Sequence, residues 1–194
     1  MCGIAGIVNL HGNPIDQGLL RNMIGMVQHR GPDAIGTYID KRVGLAHARL
    51  SIIDLAGGQQ PMHNEDKSVW ITFNGEIFNY RELRQDLIRK GHTFATQSDT
   101  EVIVHLYEEE GEECVRYLNG QWAFAIWDAN RQRLFLSRDR LGVRPLFYTI
   151  TGQTLLFASE IKSIGSSGGH KSNRSSSVRP DLHLLGNPAT QNDL

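Results

Sequence analysis

Apolar residues along the chain fall into short runs with two periods, separated by turn-forming residues. Cys2–Asn9 is a nearly continuous apolar run rich in Ile and Val, the pattern of a buried strand. Asn13-Pro14 then opens a helix, with Asn as N-cap and Pro at the first helical position. Ile15, Leu19, Met23 and Met26 recur at helical spacing as far as Gln28. Val43–Leu50 reads as a second strand, followed by a loop through Gly57-Gly58. Val69, Ile71 and Phe73 alternate with Trp70 and Thr72, giving a strand that ends at Asn74-Gly75. Two helices follow, each starting at a capping-box pattern, Asn79 with Glu82 and Ser98 with Glu101. Strands at Trp122–Trp127, Leu134–Ser137, Leu146–Ile150 and Thr154–Ala158 complete the ordered part. Short strands joined by tight turns pair antiparallel, so the pattern is α+β, with sheets covered by helices.

Composition narrows the function. With 194 residues the chain suits one domain with a substantial core. A formal charge of −1 gives no bulk attraction to nucleic acid or to an anionic membrane. No apolar run approaches the roughly 18 residues that span a bilayer. Two cysteines exclude a disulfide framework and a cysteine-rich zinc site. The eight histidines lack HxxxH or HxH spacing, so no metal site is expected. Neither GxGxxG nor a P-loop is present, which removes the usual nucleotide motifs. Beyond Gly165 the aromatic residues stop and serine and glycine dominate. Residues 165–194 therefore read as a flexible tail, with at most a turn of helix around Leu182–Leu185.

The chemistry concentrates at a few positions. Cys2 follows the initiator methionine, and a small residue there favours removal of Met1. Cys2 would then carry thiol and α-amine on one Cα. An amine titrating near 7.7–8.0 can take the proton of a thiol titrating near 8.5. Nucleophile and base become one residue. Asn74-Gly75 is first a turn signal, but its side-chain amide and backbone N–H also suit an oxyanion hole. Arg49 at a strand end is either a solvated charge or a clamp for a carboxylate. Asp99 favours its helix N-terminus electrostatically, or joins Glu76 in holding an ammonium group. His47 reads as a structural strand histidine. His29–Asp33 and Arg138–Pro145 read as structural corners, either of which could also face another domain.

Met1–Val8, His29–Asp33, Leu45–Leu55, Phe73–Tyr80, Ser98–Val102, Leu118–Asp128, Arg138–Tyr148 and Phe157–Lys162 follow one another in a telling order. Across residues 1–164 the chain resembles the glutamine amidotransferase domain of the N-terminal-nucleophile hydrolases. Within that class it is most similar to the amino-terminal half of glutamine-hydrolysing asparagine synthetases. The resemblance implies a four-layer αββα sandwich of two antiparallel sheets. It implies Cys2 as nucleophile and Asn74 with Gly75 as oxyanion donors. It places the glutamine α-carboxylate on Arg49 beside the backbone of Leu50, Ser51, Ile52 and Ile53, and the α-ammonium on Glu76 and Asp99. The reaction implied is hydrolysis of L-glutamine to glutamate and ammonia through a thioester, with no cofactor bound by this chain, and composition makes a soluble cytoplasmic protein the default expectation.

The family pattern continues into an ATP-dependent synthetase domain, and here a serine-rich stretch follows instead. Ser167-Gly168-Gly169 lacks the Asp-Ser that would complete that domain's ATP loop. ATP and Mg are thus expected only with a separately supplied synthetase domain. The expected partners are L-glutamine, a synthetase domain or subunit receiving ammonia, and a second copy in a homodimer. The competing reading is a catalytically silent module that binds or regulates a separately encoded synthetase.

Overall fold

The computed structural model describes residues 1–51 and 57–165, together with the backbone pairing of residues 176–177 and 183–184. The elements run β1 (Gly3–Asn9), α1 (Gln17–Gly25), a 3-10 turn (Gln28–Arg30), β2 (Ala34–Asp40), β3 (Val43–Arg49), β4 (Met62–His63) and β5 (Val69–Ile77). They continue with α2 (Tyr80–Lys90), α3 (Asp99–Glu110), a second 3-10 turn (Gly111–Arg116), β6 (Gly120–Asp128), β7 (Arg133–Arg138), β8 (Phe147–Thr151), β9 (Thr154–Ala158) and α4 (Ile161–Gly165). Two-residue strands β10 (Ser176–Ser177) and β11 (His183–Leu184) lie beyond.

The strands form two antiparallel sheets, ordered β10-β8-β9-β1-β3-β2 and β11-β7-β6-β5-β4. Strand alternation explains the layering. In β1, Ile4 and Val8 face inward, meeting Ala123, Ala125, Trp127, Leu134 and Leu136 of the second sheet. Ala5 and Ile7 face outward against Leu20, Met23 and Ile24 of α1. On the far side, Ile71, Phe73, Phe124 and Ile126 pack under Val102, Ile103, Leu106 and Tyr107 of α3. The result is the expected αββα sandwich with three apolar layers between its four structural ones. A strand covered on both faces reads as a continuous apolar run, which is why β1 lacks visible alternation.

Several local expectations change. Helix α1 begins later than Asn13-Pro14. Ile15 N–H bonds Lys41 O at 2.9 Å and holds that stretch against the end of β2, while Asp16 caps the helix through Oδ1 to Leu19 N. The helix stops at Gly25 rather than Gln28. Asn79 occupies an N-cap position without capping through its side chain. Its amide instead bridges Tyr117 O at 2.9 Å and Asn119 N at 2.9 Å. Ser98 does cap α3, accepting from Thr100 N at 3.2 Å. Glu101 reaches past Ser98 to Ala95 N at 2.6 Å and Thr96 N at 2.7 Å.

β2 is an additional strand. Among the described residues it pairs only with β3, and it alternates between partly and fully exposed positions, so it has no apolar stripe to reveal it. Asn74-Gly75 is strand, not turn: β5 continues through Ile77 in unbroken register with β6. Within the tail, His183–Leu184 pairs with Phe135 and Leu134 of β7 as strand instead of helix, because β7 offers an edge with unpaired backbone groups. Ser176–Ser177 pairs with β8, and the rest of the expected tail (166–175, 178–182 and 185–194) lies outside the described residues.

Candidate active site

Cys2, Arg49, Asn74, Gly75, Glu76 and Asp99, drawn from β3, β5, α3 and the residue before β1, line one cleft with Leu50 and His47. Its space is about 640 Å³ including the open mouth, within the range that suits a small-molecule ligand. Cys2 precedes β1, whose central place in the first sheet fixes it. Leu50 N–H points at Cys2 Sγ from 3.4 Å, and Sγ lies 3.6 Å from Leu50 O. The other cysteine, Cys114, is fully buried, and burial pushes its thiol up to about 12. Cys2 is thus the thiol available for chemistry.

The donor pair follows from the pleat of β5. Trp122, opposite Gly75, turns both backbone groups toward Asp139, donating to Oδ2 at 3.3 Å and accepting from Asp139 N at 2.8 Å. Gly75 and Trp122 therefore face each other without exchanging hydrogen bonds, and the Gly75 N–H points away from β6. Its neighbours on that edge are Phe73 N–H, taken by Gln60 Oε1 at 2.7 Å, and Ile77 N–H, taken by Asp99 Oδ2 at 3.0 Å. Gly75 N–H sits between them, facing the cleft. Asn74 points its amide Nδ2, buried and without a hydrogen-bond partner, from the same stretch. Glycine is required at 75, because a Cβ there would lie 2.3 Å from Gln121 O.

His47 braces this edge. Its Nε2 donates to Phe73 O at 3.1 Å, joining β3 to β5 across the two sheets. Burial above all holds its pKa down at about 4. The bond to Phe73 opposes that and the Arg49 charge adds to it. A neutral imidazole with its proton fixed on Nε2 is a strut. The expected structural role holds.

Asp99 and Glu76 bring two carboxyl groups to the cleft, Glu76 exposed and Asp99 buried. Burial raises the Asp99 pKa, the N–H groups of Ile77 and Thr100 work against it, and the Glu76 charge raises it further. Such a pair favours a cation between its members. Arg49 is 6% exposed at the end of β3, within the same cleft. Ser51 gives its N–H to Asp33 Oδ2 at 2.7 Å and does not line the cleft. Ile52 and Ile53 lie outside the described residues.

The two sequence corners also join the site. Arg30 donates from Nε to Cys2 O at 3.0 Å and from Nη1 to Glu160 Oε1 at 3.0 Å. Asp139 gathers Leu141 N, Val143 N and Arg144 N, holding a turn that places Arg144 on the cleft with its Nη1 against Met1 Sδ. Neither role is visible in spacing alone, since Arg30 meets residues 28 and 130 positions away and Arg144 meets one 143 positions away. The HRGPD and RDRLGVRP strings were the available signal.

Comparison with known proteins identifies the chain's family and fold. The family model described as glutamine amidotransferase domain matches residues 1–182. Asparagine synthetase [glutamine-hydrolyzing] 2 of Bacillus subtilis is 51% identical over 170 residues, covering 86% of this chain and 22% of the relative. Asparagine synthetase [glutamine-hydrolyzing] 3 of Arabidopsis thaliana is 41% identical over 167 residues, covering 84% and 28%. The chain therefore spans about a quarter of the length of these relatives. Among solved structures, glutamine phosphoribosylpyrophosphate amidotransferase from B. subtilis superposes with a TM-score of 0.73 at 21% identity, over 95% of this chain and 45% of that one. That likeness establishes the shared fold.

Proposed function

The chain belongs to the glutamine amidotransferase domain family, and from that premise we propose that it hydrolyses L-glutamine to glutamate and ammonia, for transfer to an acceptor on a synthetase domain or subunit. Once Met1 is removed, the Cys2 amine takes the thiol proton and Sγ attacks the side-chain carboxamide carbon. The carbonyl electrons move onto oxygen, where Asn74 Nδ2 and Gly75 N–H receive them. Collapse expels ammonia, which takes its proton from the Cys2 ammonium, and leaves a γ-glutamyl thioester. Water then adds to the same carbon, its proton passing to the amine, and glutamate departs as Sγ is released. Arg49 holds the α-carboxylate bidentately, and Glu76 with Asp99 holds the α-ammonium. Glutamine binding thereby brings a cation to the Asp99 carboxylate, which burial and the neighbouring Glu76 charge disfavour as an anion.

The observation that carries this reading is the pairing of an unpartnered Asn74 amide with an outward Gly75 N–H in the cleft that contains Cys2. The test combines intact mass with glutaminase assay. Purified chain lacking Met1 should release glutamate and accept a glutamine-like electrophile on Sγ, and Cys2→Ala should do neither while staying folded. Full hydrolysis by Cys2→Ala, or none by a folded protein with a free Cys2 amine, would refute it. The second of these results would favour a silent module that serves a synthetase by binding alone.

A further inference from the structure

Away from the cleft, Glu65, His92, His105 and Glu108 bring one donor atom each to within 4.8 Å of one another. They come from three segments: the β4–β5 loop, the residue after the α2 C-cap, and one face of α3. His105 Nδ1 lies 2.9 Å from Glu108 Oε2 and 3.6 Å from Glu65 Oε2. His92 Nδ1 lies 3.7 Å from Glu108 Oε2 and 3.8 Å from Glu65 Oε1. A tetrahedral ion with bonds of about 2.1 Å spaces its ligand atoms about 3.4 Å apart. The four separations bracket that value.

We propose that Glu65, His92, His105 and Glu108 form a binding site for a divalent first-row transition ion such as Zn2+, which ties α3 to the β4–β5 loop and to the end of α2.

The surroundings are those of oriented ligands. His105 is 1% exposed, and its other ring nitrogen, Nε2, has no hydrogen-bond partner. That nitrogen sits 3.7 Å from Oε1 of the buried Glu101, the carboxylate placement that orients a metal-bound imidazole. Asn64 Nδ2 holds Glu108 through Oε1 at 2.7 Å, leaving Oε2 for the ion. Thr93 N–H holds Glu65 at 3.1 Å. Glu65 and the edge of His92 reach solvent, giving the ion a path in. Two imidazoles among the donors select against Mg2+ and Ca2+, which prefer oxygen alone. HxxxH spacing could not announce the site, because its two histidines sit 13 positions apart on different elements.

The full chain carrying Cys2→Ala, which removes the competing accessible thiol, is stripped with chelator and titrated with Zn2+ by calorimetry. One saturable equivalent and a higher Tm are expected. His92→Asn and Glu65→Gln, both at positions open enough to be tolerated, should each weaken binding by more than the roughly 10- to 100-fold that follows loss of an outer-shell partner. Circular dichroism checks that the variants stay folded. Millimolar Mg2+ should not compete. Absence of saturable binding, affinity in either variant unchanged from the parent chain, or effective competition by millimolar Mg2+ would overturn the proposal. Any of these would leave the cluster as acids bridged by a protonated His105.

Discussion

Arg30 and Cys2 are joined by a hydrogen bond of 3.0 Å from the guanidinium Nε to the backbone carbonyl of the proposed nucleophile. The same guanidinium is anchored by Glu160, 25% exposed at the start of α4's approach. One planar group therefore links Cys2 to the segment between β9 and α4 and fixes where Sγ can sit. Lysine cannot reproduce this fork. Arg30→Lys should lower kcat for glutamine hydrolysis by up to about 100-fold, the scale of a one-ångström misplacement, with little change in KM. Steady-state kinetics check the split, and Glu160→Gln should show the same signature more weakly.

Asn74→Ala removes an amide nitrogen, Nδ2, that is buried without a hydrogen-bond partner in the resting protein. Loss of one oxyanion donor costs about 10²- to 10³-fold in kcat. The variant should lose that much activity, keep its KM for glutamine, and unfold at an unchanged Tm.

Gly75→Ala should damage both stability and catalysis. The added methyl would sit 2.3 Å from Gln121 O and 2.7 Å from the Phe73 ring, so β5 and β6 must separate. Overpacking of this kind costs about 1–3 kcal/mol. Gly25→Ala, where a Cβ meets nothing within 4 Å, is the control and should leave the urea midpoint unchanged or slightly raised.

His47 makes stability depend on acidity in a defined window. Its folded pKa is about 4 against 6.5 for an ordinary histidine, so the unfolded chain binds the proton more readily between those values. Its contribution is fully present above pH 6.5 and is lost as pH falls toward 4, on the order of 3 kcal/mol in all. Urea titrations at pH 7, 6, 5 and 4 should show wild type losing stability faster than His47→Gln. Parallel curves would assign the acid sensitivity to carboxylates elsewhere.

The periods of the apolar runs placed most strands and helices, because a strand between two layers or a helix on a sheet writes its burial into local spacing. Ser98 and Asp99 were likewise legible, since capping is a local hydrogen-bond problem. The chemistry of Cys2 was open to reading because thiol and amine belong to one residue. β2 escaped because an edge strand needs no apolar stripe, and Arg30 escaped because its partner lies 28 residues away.

What the chain order settled by itself was the family resemblance, the candidate nucleophile, and the residue types assembled around it. Tertiary structure alone decided that Asn74-Gly75 is strand rather than turn, and that the Gly75 N–H faces the cleft. The direction of a backbone N–H is set by which neighbour the opposite residue has already bonded, and Trp122 is committed to Asp139. It also decided that Glu65, His92, His105 and Glu108 converge, because packing of α3 against the β4–β5 loop fixes distances that sequence separation leaves undefined.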